Sequence, residues 1–157
     1  MDQAIKKQVL RMFTYGLYVV TCVAGDDVNA FTANWLTQVS FEPPLVAVSV
    51  ENASKSLPMI ERSRAFAINV LRSGQRGLAG TLGKSALKHP NKMAGIAYDI
   101  QNGYLVLHDA LGWVGCTVQH VVPAGDSTLF IAGVVETGLL AEGPALTMNE
   151  TGFRHAG

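Results

Sequence analysis

A run of neutral hydrogen-bonding residues lies in the first third of the chain, between positions 30 and 44. Its polar members are Thr32, Asn34, Thr37, Gln38 and Ser40, interleaved with the small Ala33 and the large Trp35. Such a segment can offer donors to a planar heteroaromatic ring and pack apolar atoms against its face. The same residues also suit an ordinary strand and turn anchored by a tryptophan, so both interpretations remain open.

A second polar group, Ser54-Lys55-Ser56, comes directly before a segment with helical spacing. Either serine is a suitable N-cap, because its hydroxyl can accept from a free backbone N–H of the first turn. A helix N-terminus with two hydroxyls and a lysine also suits a phosphate, since its N–H groups and dipole favour an anion. Capping and phosphate binding are compatible with each other.

Several other kinds of catalytic pattern are missing from the sequence. The four histidines do not stand at metal-ligand spacing with a cysteine or carboxylate. There is no Gly-x-Ser-x-Gly nucleophile elbow. The stretch from Gly80 to Ser85 ends like a phosphate loop, but Leu78 stands where that motif requires its first glycine. We therefore predict no metal site and no nucleotide-triphosphatase chemistry.

The elements that must position these residues are mostly strands. Runs of β-branched and aromatic residues predict strands at 17–23, 29–33, 45–50, 65–71, 104–107, 113–122 and 128–140. The nearly all-apolar segment 45–50 is expected to be central and buried on both faces. Helical spacing predicts short helices at 55–62 and 75–82 and an amphipathic opening helix with Ile5, Val9 and Phe13 on its inner face.

This pattern indicates a mainly β domain with short helices, spanning 1–157 as a single unit and forming a closed antiparallel barrel. Apolar residues make up 48% and charged residues 15% of the 157, which excludes a disordered chain. Twelve basic residues balance twelve acidic ones, which argues against nucleic-acid binding and favours an oligomer. No run is long and apolar enough to predict a membrane span. The two separated cysteines predict no disulfide framework and a reducing, cytoplasmic location.

The order of the segments at 32–44, 45–50, 54–56 and 66–71 resembles the flavin reductase-like family, the FMN-binding split barrels. The stretch from Gly125 to Gly133 is similar to the late hairpin of that family. The opening residues 15–20 are similar to the branch with the flavoredoxins and the flavin domain of large rubredoxins. The resemblance implies a Greek-key-like antiparallel split barrel, dimeric, with one FMN per subunit near the subunit interface.

The resemblance also implies a set of FMN contacts, residue by residue. It places the flavin ring against Thr32, Ala33, Asn34, Trp35 and Leu36, the ribityl chain or phosphate near Thr37 and Ser40, and the phosphate on Ser54, Lys55 and Ser56. From the next strand and helix, it closes the site with Asn69, Val70, Leu71 and Gln75. It assigns no side chain as catalytic acid or base, because hydride passes directly from the nicotinamide to the flavin.

One position departs from the family pattern. Many reductases of the family carry a histidine after Gly-Asp in the late hairpin, where it meets the pyridine nucleotide, and this chain has Ser127 there. Two functions therefore stay open: an oxidoreductase that passes hydride from NAD(P)H to FMN, or a small FMN-binding electron carrier reduced by a redox protein partner without efficient NAD(P)H oxidation. A flavin-free barrel that binds haem through His89 or His120 is a weaker third alternative.

Overall fold

The computed structural model describes residues 1–155, and within them the chain forms nine strands and four short helices. In chain order these are α1 (Gln3–Leu10), β1 (Tyr18–Ala24), β2 (Asp27–Ala33), β3 (Leu36–Ser40), β4 (Leu45–Glu51), α2 (Ser56–Ser63), β5 (Ala65–Val70), α3 (Arg76–Leu82), β6 (Tyr98–Gln101), β7 (Tyr104–Leu107), β8 (Gly112–Ala124), β9 (Ser127–Leu139) and α4 (Met148–Thr151). The predicted mainly β class with short helices is confirmed. The division into one domain over 1–157 stays a prediction, and its last two positions lie outside the described residues.

Seven of the strands form one antiparallel sheet in the order β2-β1-β5-β8-β9-β4-β3. The two edge strands, β2 and β3, are consecutive in the chain and are joined by Asn34 and Trp35. The long β8–β9 hairpin turns at Gly125, whose φ of 71° favours glycine. Closure into a barrel and a Greek-key-like path stay predictions.

The sheet is covered on both faces because alternate side chains along its strands enter two different core clusters. Val20 and Phe66 pack with Ile60 of α2 in the first cluster. Val19, the neighbour of Val20, packs with Leu82 of α3 in the second cluster. In β4 the consecutive residues from Val46 to Val48 are buried, which agrees with the prediction for that strand. The helices α2 and α3 are thereby fixed to opposite faces of β1.

A polar network inside the second face ties the β6–β7 hairpin to the sheet. Asn69 is fully buried, and its Oδ1 accepts from the backbone N–H of Leu107 at 2.9 Å. Its Nδ2 donates to Thr21 Oγ1 at 3.2 Å, and that hydroxyl donates to Leu105 O at 2.7 Å. Every polar atom of the Asn69 side chain is therefore engaged within the core.

The opening helix forms, but it does not pack as the sequence predicts. Ile5 is 59% and Val9 is 47% exposed, and α1 contains no buried residue. Its N-terminus is capped by Asp2, whose carboxylate accepts from two backbone N–H groups. The expected inner face of this helix is thus exposed among the residues that the structure describes. Among the described residues, no helix combines the length and the apolar character that crossing a membrane requires.

Candidate functional site

A cleft of about 770 Å³ opens beside the junction of the two edge strands. Four segments line it: the end of β2 with Asn34 and Trp35, the end of β4 with the start of α2, the α3 helix with the loop after it, and the C-terminal segment. Its polar and aromatic lining includes Phe31, Thr32, Asn34, Trp35, Glu51, Ser54, Lys55, Ser56, Lys84, Lys88, Lys92, Arg154 and His155. The volume lies within the range usual for small-ligand and cofactor sites.

The first wall is the predicted segment from Thr32 to Trp35. The Thr32 hydroxyl donates to Ala79 O at 2.6 Å, which fixes this wall to α3. Asn34 is only 8% exposed, and its Nδ2 finds no hydrogen-bond partner among the described residues. A buried donor without a partner costs free energy, so an amide in this state within a cleft indicates a ligand that accepts from it.

The second wall is the start of α2. Ser54 lies just before the helix, and its Oγ accepts from the backbone N–H of Leu57 in the first turn at 3.2 Å. Ser56 is fully buried, and its Oγ accepts from Asn29 Nδ2 at 2.8 Å. Lys55 Nζ lies 2.9 Å from Asp27 Oδ1 in a half-exposed ion pair, which is worth little because solvent screens it. Lys55 can therefore leave Asp27 for a stronger anion.

The third wall is the loop after α3, which adds three lysines to the cleft, Lys84, Lys88 and Lys92. Lys92 is buried, and its Nζ donates to Leu82 O at 2.8 Å and to Lys84 O at 2.7 Å. These bonds satisfy carbonyls at the end of α3 and hold the loop against it. Burial lowers the pKa of Lys92 to about 8.

This buried ammonium gives a pH-dependent contribution to stability. Because the pKa of Lys92 falls from 10.5 to about 8 on folding, the unfolded chain binds more protons between those values. The contribution of Lys92 to the free energy of unfolding therefore rises as the pH goes from 8 to 10.5. We expect the free energy of unfolding of the wild type to rise relative to that of Lys92→Met over this window. Urea unfolding of both proteins at pH 8 and pH 10.5 measures this change.

The two buried cysteines also make the free energy of unfolding depend on pH. The comparison with Lys92→Met cancels this effect, because both proteins contain them. Burial raises the pKa of Cys22 to about 11 and that of Cys116 to about 12, so above pH 9 they lower stability as the pH rises. Both thiols are free and are present in both proteins. An unchanged difference between pH 8 and 10.5 would contradict the role given to Lys92.

Half of the predicted FMN contacts do not line the cleft. These residues are Leu36, Thr37, Ser40, Asn69, Val70, Leu71 and Gln75. Leu71 is fully buried in the second core cluster, and the amide of Asn69 is consumed by its core network. Gln75 accepts from the Arg72 N–H and donates to Asp109 O, so it holds the turn before α3. Their roles at the flavin stay predictions.

Ser127 lies at the start of β9, opposite Glu51 of β4. It is 3% exposed, and its Oγ donates to Asp126 Oδ1 at 3.1 Å. The side chain is buried beside the cleft rather than part of its lining. Contact between Ser127 and a nicotinamide stays a prediction.

The C-terminal segment is a wall that sequence reasoning missed. His155 lies with its ring centroid 4.7 Å from that of Trp35, and its Nε2 is 3.7 Å from Glu51 Oε1. Phe153 lies 4.9 Å below the guanidinium of Arg76. No local pattern could reveal these contacts, since they join residues that are far apart in the sequence. Among the described residues, no group of three His, Cys, Asp or Glu could hold a metal.

The fold and cleft together define a mainly β protein with a nucleotide-sized site: an aromatic and amide wall adjoins a helix start and several lysines. The chain belongs to the flavin reductase like domain family, whose profile matches residues 10–157. The resemblance seen in the sequence is therefore confirmed.

Proteins named for different roles are similar to this chain. The chain is 32% identical to a high molecular weight rubredoxin of Moorella thermoacetica, over 89% of this chain and 62% of that protein. It therefore spans less than two thirds of that relative. It is also 32% identical to the reductase component of 4-hydroxyphenylacetate 3-monooxygenase from Thermus thermophilus, over 94% and 93% of the two chains. The solved flavin reductase PheA2 matches with a TM-score of 0.81 and 30% identity, over 94% and 93%.

Proposed function

We propose that the protein is an oxidoreductase of the flavin reductase type, which binds FMN and passes hydride to it from NAD(P)H. The observation that carries the proposal is the buried Asn34 amide, which lines the cleft with an unpaired donor. A flavin ring presents nitrogen and carbonyl acceptors along one edge, so it satisfies such a donor. Family membership and the reductase names of the relatives support the same function.

Different residues of the cleft bind different parts of the cofactor in this proposal. Asn34 donates to the flavin ring, and Ala33 and Trp35 pack against it. The free N–H groups of α2, with Ser54 and Lys55, receive the phosphate. Bound FMN supplies the hydride acceptor, and the protein orients it and limits its contact with water. The chain needs no side-chain proton donor for this transfer.

FMN is proposed over FAD because the α2 start suits a terminal phosphate. A monoester presents three oxygens and about two negative charges to the N–H groups, the Ser54 hydroxyl and Lys55. Titration of the flavin-free protein with FMN, FAD and riboflavin tests this choice. Binding of FAD at least as tight as binding of FMN would contradict it.

A single experiment separates the reductase from the electron carrier. The match to a rubredoxin over 62% of that protein's length favours the carrier as second candidate. We expect the absorbance of oxidised flavin in the FMN-loaded protein to be lost within seconds when the protein is mixed with NADH or NADPH without oxygen. A flavin that stays oxidised under both donors, yet is reduced by dithionite, would favour a carrier served by a redox protein partner. For the reductase, the corresponding proposed partner is an oxygenase component, as the name of the Thermus relative suggests.

A homodimer in which the second copy contributes to the flavin site is also proposed. Large apolar side chains are uncovered on β3, the following loop and the end of β9: Val39, Phe41, Val135 and Leu139. Phe41 is 90% exposed, and a second copy of the chain packed against this surface would bury it. We expect sedimentation equilibrium to give twice the 16.7 kDa chain mass, with and without FMN. A monomer with full FMN affinity would contradict the shared site.

A further inference from the structure

The C-terminal wall of the cleft is a fixed structure that we call the strap, consisting of Phe153, Arg154 and His155. At its base, Arg76 Nε donates to Thr151 O at 2.7 Å, and the same guanidinium covers the Phe153 ring. At its far end, the His155 ring packs against Trp35. The strap thus runs from α3 to the aromatic wall and places an imidazole in the cleft.

His155 lies in a small group whose chemistry differs from that of the rest of the cleft. Its Nε2 faces the Glu51 carboxylate, and its side chain is 48% exposed. The ring has a second nitrogen besides Nε2, which can donate to or accept from a bound molecule. Trp35 adds an aromatic face beside it, so the three side chains combine a flat surface, a carboxylate and an imidazole.

Glu51 determines which part of a ligand this group favours. It is the one carboxylate among the described residues that line the cleft, where the other charged side chains are cationic. A carboxylate repels phosphate and accepts from hydroxyl and amide groups. This combination suits ribose hydroxyls and a carboxamide, which the reduced electron donor and its oxidised form share.

We propose that His155, held by Trp35 and Glu51, contacts the nicotinamide riboside part of the electron donor and sets its affinity. This rests on the proposed reductase function and deepens it. The imidazole bonds a ribose hydroxyl or the carboxamide, while Glu51 accepts from a neighbouring hydroxyl. His155 is a binding residue for the donor and is not required for flavin binding.

The test compares His155→Ala and His155→Gln with the wild type. Calorimetric titration of the FMN-loaded protein with NAD⁺ measures donor-site binding without turnover. We expect the Kd for NAD⁺ and the KM for NADH to rise about tenfold in His155→Ala, as for one lost hydrogen bond with its packing. In His155→Gln, which keeps a donor and an acceptor, the rise should be within about threefold. The Kd for FMN should stay at the wild-type value in both.

The chain offers a matched control in His108, an exposed histidine whose Nε2 lies 3.0 Å from Asp99 Oδ2. His108→Ala removes a similar histidine–carboxylate pair outside the cleft and should change neither affinity. Unchanged or tighter NAD⁺ binding in His155→Ala would overturn the proposal, as would an equal loss of FMN and NAD⁺ affinity. Failure of the wild type to bind any flavin would instead overturn the proposed function.

Discussion

Replacing Asn34 by leucine is expected to stabilise the flavin-free protein while it weakens flavin binding. Leucine has the branched outline of asparagine, although it is larger, and it removes the buried Nδ2 that has no partner among the described residues. The cost of such an unpaired group is about 1–3 kcal/mol, so the free energy of unfolding should increase. The same substitution removes the donor proposed for the flavin ring. The Kd for FMN should therefore rise roughly tenfold to a hundredfold.

The substitution is expected to raise the stability and lower the affinity for FMN. Asn69 provides the matched control. Asn69 is equally buried, but both ends of its amide are hydrogen-bonded to the core. Asn69→Leu should therefore destabilise the flavin-free protein, since it leaves the Leu107 N–H unpaired. Urea unfolding and fluorescence titration with FMN measure both effects. An Asn34→Leu protein that is less stable, or that binds FMN as the wild type does, would contradict the role of Asn34.

The sequence allowed the strands and two walls of the cleft to be predicted because each is a local signal. Buried strands such as β4 and β5 appear as short apolar runs bounded by turn residues. The Thr32–Trp35 and Ser54–Ser56 segments follow such runs, where the chain leaves the sheet. Since β2 and β4 end at the same cleft, two independent local patterns converge on one site.

The features that were missed depend on tertiary contacts or on exposure. β3 contains Thr37, Gln38 and Ser40 and lies at a sheet edge, so it lacks the apolar run of a buried strand. The helical spacing of Ile5 and Val9 correctly indicated a helix, but it could not show that the described residues leave its apolar face exposed. The strap joins His155 to Trp35, a contact between distant parts of the chain that has no local pattern.

The residues that the family resemblance assigns to the flavin show a different limit of prediction from sequence. A family pattern aligns positions, whereas the use of each side chain depends on its neighbours in this chain. The resemblance places Asn69 and Leu71 at the flavin, and in this structure one completes a core network and the other lies in the second core cluster, so their flavin roles stay predictions. Ser127 is likewise buried and bonded to Asp126. Because Ser127 is buried, the larger imidazole of Ser127→His is expected to cost stability.

The second large effect is expected from the ion pair at the start of α2. Lys55→Met should weaken FMN binding about tenfold to a hundredfold, because a charge-assisted contact to phosphate contributes roughly 1.5–3 kcal/mol. Riboflavin, which has no phosphate, should lose less than about threefold by the same reasoning. Titrations of both ligands at low and high salt measure the difference, which should shrink as salt screens the charge.

A substitution of Asp27 is expected to change the affinity for FMN in the opposite direction. Its carboxylate lies 2.9 Å from Lys55 Nζ and competes with a phosphate for that cation. Asp27→Asn should therefore tighten FMN binding several-fold and leave riboflavin unchanged, since a repelling charge is removed and Lys55 is released. Lys7→Met, an exposed lysine of α1, is the control for a general loss of positive charge. If Lys84→Met weakens FMN and Lys55→Met does not, the phosphate lies at the loop after α3, and the assignment to the α2 start is wrong.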